Sequence, residues 1–248
     1  LKLCPWAKYR KNKGGIKMHT LVDLRGNLPV SVYLTSASVN DVKALDDLYI
    51  EPSAIYLMDR GYVDFNRLFK LITKKNAFFV TRAKDNMLFE VVSEAEVDKS
   101  TGIISDERIK LTGLHTAKWY PEELRMVTYE DYATSKVYRF LTNNMEYEAL
   151  TISELYRERW NVELYFKWIK QHLHIKSFYG TSENAIYLQI WIAICTYLLL
   201  AYAKKVMHID QSLHTISKNV GLFLTDKTPL NELFNKAVPT EETEDWLY

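Results

Sequence analysis

The sequence has little cysteine, almost no net charge and no apolar run long enough to cross a bilayer. Its 248 residues include only two cysteines, Cys4 and Cys195, and their separation rules out a disulfide framework or the spacing of a zinc site. The formal net charge is +1, so the total charge argues neither for nor against nucleic acid as a partner. The apolar run 190–203 falls short of the ~20 residues that a membrane span needs, which favours a buried core helix. A membrane anchor through this run remains the alternative.

The charges are distributed unevenly along the chain. Residues 2–17 contain six cations and no acid, whereas the tail after Lys236 contains four acids and no Lys or Arg. Basic patches can mark contacts with phosphates, although a solvated charged face is the commoner meaning of a charge run. The chain starts at Leu1, already within the basic segment, which suggests a piece of a longer reading frame.

The first third of the sequence predicts an α/β layer with a mixed sheet. Apolar and β-branched runs predict strands, and turn residues separate them. Asn40 is the predicted N-cap of a short helix. The predicted strands are 16–22, 28–35, 54–58 and 77–81, and the predicted helices are 40–49 and 64–74.

The rest of the sequence predicts a change first to strands and then to helices. Residues 87–141 are β-rich with no convincing helix, which predicts an all-β insertion. Residues 149–207 are helical, with a break at 179–181 and Ser182 as the N-cap of a long apolar helix. The predicted divisions are a first core part (1–86), the β-rich insertion (87–141), a helical core part (142–208) and a helical, acidic tail (209–248).

The stretch YRERWNVELYFKWIK, residues 156–170, places Glu163 among cations on one predicted helix face. At about 100° per residue, five of its polar residues fall within roughly an 80° arc of one continuous helix. This pattern also fits an amphipathic helix whose ion pairs face solvent. The five residues are Tyr156, Arg159, Glu163, Lys167 and Lys170.

Asp59 follows a predicted buried strand, and its carboxylate could converge with that of Glu163. Active groups of open α/β sheets lie beyond the carboxyl ends of the strands. Two carboxylates suit a hard cation such as Mg²⁺, and two such ions can activate a nucleophilic oxygen and stabilise a leaving one. Arg159 could then grip a phosphate with two hydrogen bonds, while Lys167 and Lys170 act as point charges. The plain alternative is that Asp59 is an ordinary turn residue.

The spacing Tyr156-x2-Arg159-x3-Glu163-x6-Lys170 resembles the signature of bacterial insertion-sequence transposases of the DDE class, in the insertion sequence four family. The segment MDRGY at 58–62 resembles the second-aspartate motif of that family. Further segments that resemble the family are 4–10, 16–26, 81–84 and 166–173, so the likeness extends over 1–205.

The resemblance implies a fold and a reaction. The expected fold is an α/β ribonuclease H-like core, its first strand apparently missing, with a β-strand insertion and a helical C-terminal part. The expected reaction is cleavage of transposon-end DNA followed by strand transfer, with two Mg²⁺ or Mn²⁺ ions held by carboxylates that include Asp59 and Glu163. Tyr156, Arg159 and Lys170 are then expected to contact DNA phosphates. The expected partners are double-stranded DNA and a second copy of the chain, without a membrane, in the bacterial cytoplasm near the nucleoid.

One departure from the family limits what the resemblance implies. The first catalytic Asp of the family lies upstream of the segment that resembles 4–10, and Asp23 is interpreted as a turn residue. We therefore expect weak or absent catalysis by this chain alone. The alternatives are a truncated relic that binds DNA without cutting it and a nuclease of the same fold without strand transfer.

A few other residues were weighed as functional candidates. Trp119 is a weak candidate for a base-stacking wedge and is more simply a structural residue. His172 and His174 are expected to point to different faces of a helix. We assign them, with His208 and His214, to structure or surface.

Overall fold

The computed structural model describes residues 5–10, 13–173, 175, 177–225, 227 and 230–235. The chain divides into two units, Leu1–Lys167 and Trp168–Tyr248. The first unit contains all the strands of the described residues, and the second is helical.

The first unit begins with two small antiparallel pairs. Strands β1 (Lys8–Arg10) and β2 (Lys13–Gly14) pair first, followed by the hairpin of β3 (Ile16–Asp23) and β4 (Leu28–Ser36). The turn between β3 and β4 begins at Asp23, whose carboxylate accepts hydrogen bonds from the backbone and side chain of Arg25. The prediction of Asp23 as a turn residue is confirmed.

A six-stranded sheet forms the centre of the first unit. Its strand order is β5-β6-β10-β9-β8-β7, in which only β5 and β6 are parallel. The strands predicted from 87–141 therefore continue the sheet that contains β5 and β6. The strands are β5 (Ile55–Met58), β6 (Phe78–Arg82), β7 (Phe89–Glu94), β8 (Ile103–Leu111), β9 (Leu124–Asp131) and β10 (Lys136–Thr142).

Short helical segments connect these strands. A 3₁₀ helix, Asp41–Asp47, has the predicted N-cap, because the Asn40 side chain accepts a hydrogen bond from the Val42 N–H. After Asp59 come a 3₁₀ turn (Arg60–Tyr62), α1 (Phe65–Arg67), a π-helical turn (Leu68–Ile72) and a 3₁₀ turn (Thr73–Lys75). The expectation that no helix interrupts 87–141 was wrong, since α2 (Thr116–Trp119) forms one turn between β8 and β9.

The two faces of the sheet are covered by different clusters of buried side chains. One cluster contains Phe79, Leu124 and Tyr120, and the Tyr120 hydroxyl lies 2.8 Å from Thr73 Oγ1. The other cluster joins Val80 and Phe140 to Ile152 and Tyr156 of the helix α3 (Ala149–Glu158). Burial of this apolar face, at about 25 cal/mol per Å², therefore fixes α3 against the sheet.

The prediction of one continuous helix over 156–170 was wrong. Helix α3 ends at Glu158 and α4 (Trp160–His172) begins after Arg159. The Arg159 N–H bonds to Tyr156 O and the Val162 N–H bonds to Arg159 O, so two tighter i→i−3 bonds interrupt the α-helical ladder. Because Arg159 keeps helical backbone angles, the side chains of Arg159 and Glu163 still meet.

The second unit contains the long helix α5 (Glu183–Val206), then α6 (Leu213–Leu222) and α7 (Leu230–Asn235). Ser182 caps α5 as predicted, accepting a hydrogen bond from the Ala185 N–H. By length and composition alone α5 could cross a membrane, and 33% of its most apolar window is buried. The core-helix prediction therefore holds for one face, where Leu200 packs with Ile216 and Phe234.

Candidate active site

Asp59 lies where the parallel strand β5 ends. Its backbone is extended, its side chain accepts a 2.6 Å hydrogen bond from the Arg60 N–H, and the residue is exposed. The sequence folds this way because an apolar strand ends at a polar residue that can cap the following 3₁₀ turn. The carboxylate is therefore exposed to solvent at the carboxyl end of the strand, as the sequence predicts.

Arg82 ends the neighbouring parallel strand, and no motif in the sequence marks it as a site residue. Strand register pairs Met58 with Thr81, so Asp59 and Arg82 are the next residues on adjacent strands. The Arg82 guanidinium stacks on the Tyr138 ring at 5.2 Å from its centroid. Among the described residues Arg82 has no carboxylate within ion-pair distance, which leaves its N–H groups available to an anion. Only the pairing of β5 with β6, which the sequence does not specify, reveals this neighbour.

Tyr156 lies above the ends of these strands. Its ring contacts Phe140 at 4.8 Å between centroids, and Phe140 pairs with Arg82 across β6 and β10. The Tyr156 hydroxyl is buried and has no hydrogen bond of standard geometry to a described residue, although the Arg159 guanidinium lies close enough to interact with it. Burial raises the pKa of this hydroxyl, the charges of Arg159 and Arg82 lower it, and the charge of Asp59 raises it. Tyr156 thus lies within electrostatic reach of all three of these side chains.

Arg159 contacts both Glu163 of α4 and Tyr156 of α3. Its Nη2 donates a 2.8 Å hydrogen bond to Glu163 Oε1, and its guanidinium lies over the Tyr156 ring at 5.6 Å. Burial lowers the pKa of Arg159, but the Glu163 hydrogen bond and the charges of Glu163 and Asp59 raise it overall. Arg159 therefore lies within electrostatic reach of Asp59 and Glu163. Its buried Nε has no partner among the described residues.

The two lysines lie on α4 beyond Glu163. Lys167 is one turn further along the helix and is exposed. Lys170 is also exposed, and it belongs to the second unit of the chain. Their exposure is compatible with contacts to a polyanion.

The donor chemistry at this site suits a divalent cation in one respect. Mg²⁺ is commonly held by one or two carboxylates together with waters and substrate phosphates, and Asp59 and Glu163 offer oxygens of that kind. Within the described part of the chain, no three or more His, Cys, Asp or Glu residues form a group that could hold a metal. Asp59 and Glu163 would supply two protein oxygens to such an ion, and waters and phosphates would supply the others.

The remaining candidates lie elsewhere. Trp119 is 44% exposed and stacks on His115, with ring centroids 5.5 Å apart. His172 and His214 have their ring centroids 4.2 Å apart, a contact that the sequence analysis did not predict. His174 lies outside the described residues. Two rings in contact do not by themselves make a metal site.

Comparison with known proteins agrees with the family resemblance. Residues 4–199 match the family model described as "Transposase DDE domain". A protein named as a transposase, y4zB, of Sinorhizobium fredii is 37% identical over 212 residues, covering 84% of this chain and 59% of the relative. A protein of Geobacillus stearothermophilus, named as a transposase for insertion sequence element IS5377, is 29% identical over 231 residues, covering 92% of this chain and 60% of the relative.

A third relative completes this comparison. A Synechocystis protein, named as a transposase for insertion sequence element IS4SA, is 26% identical over 217 residues, covering 86% of this chain and 57% of the relative. The chain thus spans about 60% of the length of these relatives. No solved structure matches it.

Proposed function

Because the chain belongs to the family of transposase DDE domains, we propose that it takes part in DNA transposition, cleaving transposon-end DNA and transferring the cut strand to a target. Such domains depend in general on a divalent metal. The finer features proposed with it are a ribonuclease H-like core, two Mg²⁺ or Mn²⁺ ions and a homodimer that bridges two DNA ends. The expected location is the bacterial cytoplasm.

One observation carries the proposal: Arg159 bonds to Glu163 and lies within electrostatic reach of both Asp59 and Tyr156. The proposal takes Asp59, Glu163, Arg159 and Tyr156 as one site beyond the end of a parallel strand, where α/β proteins bind ligands. In this proposal the Tyr156 hydroxyl donates a hydrogen bond to a phosphate oxygen of a bound strand.

In the proposed mechanism, the protein mainly positions the DNA and neutralises its charge. Asp59 and Glu163 would hold the cations, which when bound activate the attacking oxygen and stabilise the leaving one. Arg159 and Arg82 bind phosphate oxygens on either side of Tyr156, and the phenol donates a hydrogen bond to the same group. Lys167 and Lys170 attract the backbone further along α4.

The proposal is tested by nicking of supercoiled plasmid DNA by the purified chain with Mg²⁺, with Mn²⁺ or with EDTA. Since catalysis by this chain alone is expected to be weak, we expect slow nicking with a metal, its loss in EDTA and its loss in the variant Asp59→Asn. Binding that weakens with salt, but with no metal-dependent nicking, would instead identify a DNA-binding relic. The absence of both binding and nicking would refute the proposal.

A further inference from the structure

A group of hydrogen-bonded side chains lies directly behind the Asp59 turn. It joins the β3–β4 hairpin to the turn Arg60–Tyr62 and to the 3₁₀ helix Asp41–Asp47. We name it the hairpin cluster. Its members are Lys17, His19, Thr35, Asp41 and Tyr62.

His19 is the centre of the hairpin cluster and is 7% exposed. Its Nδ1 lies 3.2 Å from the Tyr62 hydroxyl, and its Nε2 lies 3.0 Å from Thr35 Oγ1. The His19 and Tyr62 rings also meet edge to face, with centroids 6.4 Å apart. Both ring nitrogens therefore have a partner, so the ring orientation is fixed by contacts on two different elements.

Asp41 and Lys17 complete the cluster on the side that faces the turn. Lys17 Nζ lies 2.9 Å from Asp41 Oδ1 and donates a 2.8 Å hydrogen bond to Val39 O. Asp41 Oδ1 is also 4.0 Å from His19 Nδ1. A Cβ atom on Gly61 would lie 3.8 Å from Asp41 Oδ2, so this carboxylate borders the backbone of the turn.

Tyr62 connects the cluster to Asp59, because the two residues lie in the same short turn, three positions apart. The Tyr62 N–H donates a 2.9 Å hydrogen bond to Asp59 O, and the Asp59 carboxylate accepts from the Arg60 N–H within the same turn. Any displacement of Tyr62 therefore moves the backbone that carries the Asp59 side chain.

We propose that His19 and Tyr62 are positioning residues, which hold the Arg60–Tyr62 turn against the hairpin and so fix the direction of the Asp59 carboxylate. Neutral His19 donates from Nε2 to Thr35 and accepts at Nδ1 from the Tyr62 hydroxyl. The proposal rests on the proposed function only for the catalytic role given to Asp59. A site that must hold a carboxylate in one direction needs support of this kind around it.

The electrostatics agree with this arrangement of protons. Burial, with the Lys17 charge, lowers the pKa of His19, although Asp41 opposes the shift. Burial, with the charges of Asp41 and Asp59, raises the pKa of Tyr62 to about 12. At neutral pH the imidazole is therefore neutral, with one nitrogen able to accept, and the phenol keeps its proton.

Hydrogen exchange of the full chain tests the proposal without DNA or metal. Tyr62→Phe keeps the ring but removes the hydroxyl, and His19→Ala removes the acceptor. We expect backbone amides of 59–63 to exchange about fivefold faster in both variants, the effect of one typical hydrogen bond, while β8 and β9 exchange as before. Tyr33→Phe is the matched control, because Tyr33 lies opposite His19 on β4 and makes none of the cluster contacts described above.

Either of two results would overturn the proposal. One is unchanged exchange at 59–63 in both Tyr62→Phe and His19→Ala, and the other is faster exchange of β8 and β9 to the same extent, which would indicate global loosening. A second readout concerns function: Tyr62→Phe should raise the Mg²⁺ concentration for half-maximal nicking without changing metal-free DNA affinity. If the unmodified chain neither binds nor nicks DNA, the proposed function fails, and the exchange rates still decide the positioning role.

Discussion

Arg159 Nη2 donates a 2.8 Å hydrogen bond to Glu163 Oε1 across the interruption between α3 and α4. Exposed pairs at this spacing contribute only a few tenths of a kcal/mol to helix stability. The pair matters here because Arg159 also reaches Tyr156 and lies within electrostatic reach of Asp59. Glu163 lies on α4, and Asp59 follows β5, 104 residues earlier in the chain.

Asp59→Asn should abolish metal-dependent nicking while leaving the fold and metal-free DNA binding intact. The amide still accepts the Arg60 hydrogen bond, but it lacks the charge that a divalent cation needs, so we expect a loss of at least about 100-fold. Plasmid nicking measures the loss. Asp85→Asn is the control, since Asp85 is an exposed carboxylate near Arg60. Equal activity of Asp59→Asn and the unmodified chain would remove Asp59 from the site.

Tyr156→Phe should lower nicking activity without lowering the free energy of unfolding. It removes a buried hydroxyl that has no hydrogen bond of standard geometry to a described residue, so stability should be unchanged or higher by up to about 1 kcal/mol. Nicking should fall, because the phosphate loses a donor. Since burial raises the Tyr156 pKa, the phenol stays protonated at neutral pH and should add no pH dependence there.

Urea unfolding and nicking of Tyr156→Phe are compared with those of Tyr132→Phe. The exposed Tyr132 hydroxyl donates to Lys99 O, so its loss should cost a little stability and leave nicking unchanged. A Tyr156→Phe variant that unfolds markedly more easily would show that the hydroxyl has a structural partner instead.

Arg82→Ala and Arg159→Ala should each weaken DNA binding at every sequence tested. Each phosphate contact contributes about 0.9 to the slope of log K against log salt, so each variant should lower that slope by about one. Binding is measured by fluorescence anisotropy from low to moderate salt. Arg25→Ala, on the β3–β4 turn, is the control and should leave the slope unchanged. An unchanged slope in Arg82→Ala would exclude Arg82 from phosphate binding.

Asp106→Asn should strongly destabilise the first unit. Asp106 accepts two 2.7 Å hydrogen bonds from Arg125, and both side chains are buried. Arg125 also bonds to the backbone of Asn144 and Tyr147, just before α3. Leaving this guanidinium buried without its counter-charge should cost about 3–5 kcal/mol in urea unfolding.

The matched control for this ion pair is Asp47→Asn, which changes an exposed side chain and should stay within about 0.5 kcal/mol. A loss below about 1 kcal/mol in Asp106→Asn would show that water or another group replaces the carboxylate.

His19 should make the folded state less stable as the pH falls. Its folded pKa is lowered from 6.5, chiefly by burial, so below about pH 6.5 the unfolded chain binds a proton that the folded chain does not. Its contribution to stability is therefore complete above pH 6.5 and is lost progressively as the pH falls towards the folded pKa. Urea unfolding at pH 7.5 and 5.5 should show a smaller pH effect in His19→Asn. The pKa of His172 is also lowered, but this residue is present in both proteins, so its effect on stability cancels when the two are compared. An equal pH effect in both would contradict this assignment.

The order of strands and helices in the first unit followed from the sequence because local patterns specify it. The hairpin of β3 and β4, the strands β5 and β6, and the caps Asn40 and Ser182 all lie where turn residues and apolar runs predicted them. The family likewise followed from the spacing of Tyr156, Arg159, Glu163 and Lys170, and the matching family model confirms it. The domain boundaries stay predictions.

Local patterns did not predict the break at Arg159 or the one-turn helix α2. Both depend on tertiary packing, because the stability of a few backbone hydrogen bonds is small and neighbouring elements decide between alternative turns. The place of Arg82 was likewise hidden in the sequence, since strand pairing alone puts it beside Asp59.

The sequence by itself determined most strands of the first unit, the family and most of the charged residues worth testing, because hydrophobic period, capping and motif spacing are local properties. Tertiary structure alone decided which of these residues meet. The parallel pairing of β5 with β6 brings Arg82 to Asp59, the apolar face of α3 fixes Tyr156 over Phe140, and burial of His19 ties the hairpin to the Asp59 turn. Such contacts join residues far apart in the chain, and their free energy depends on burial and geometry that no local pattern contains.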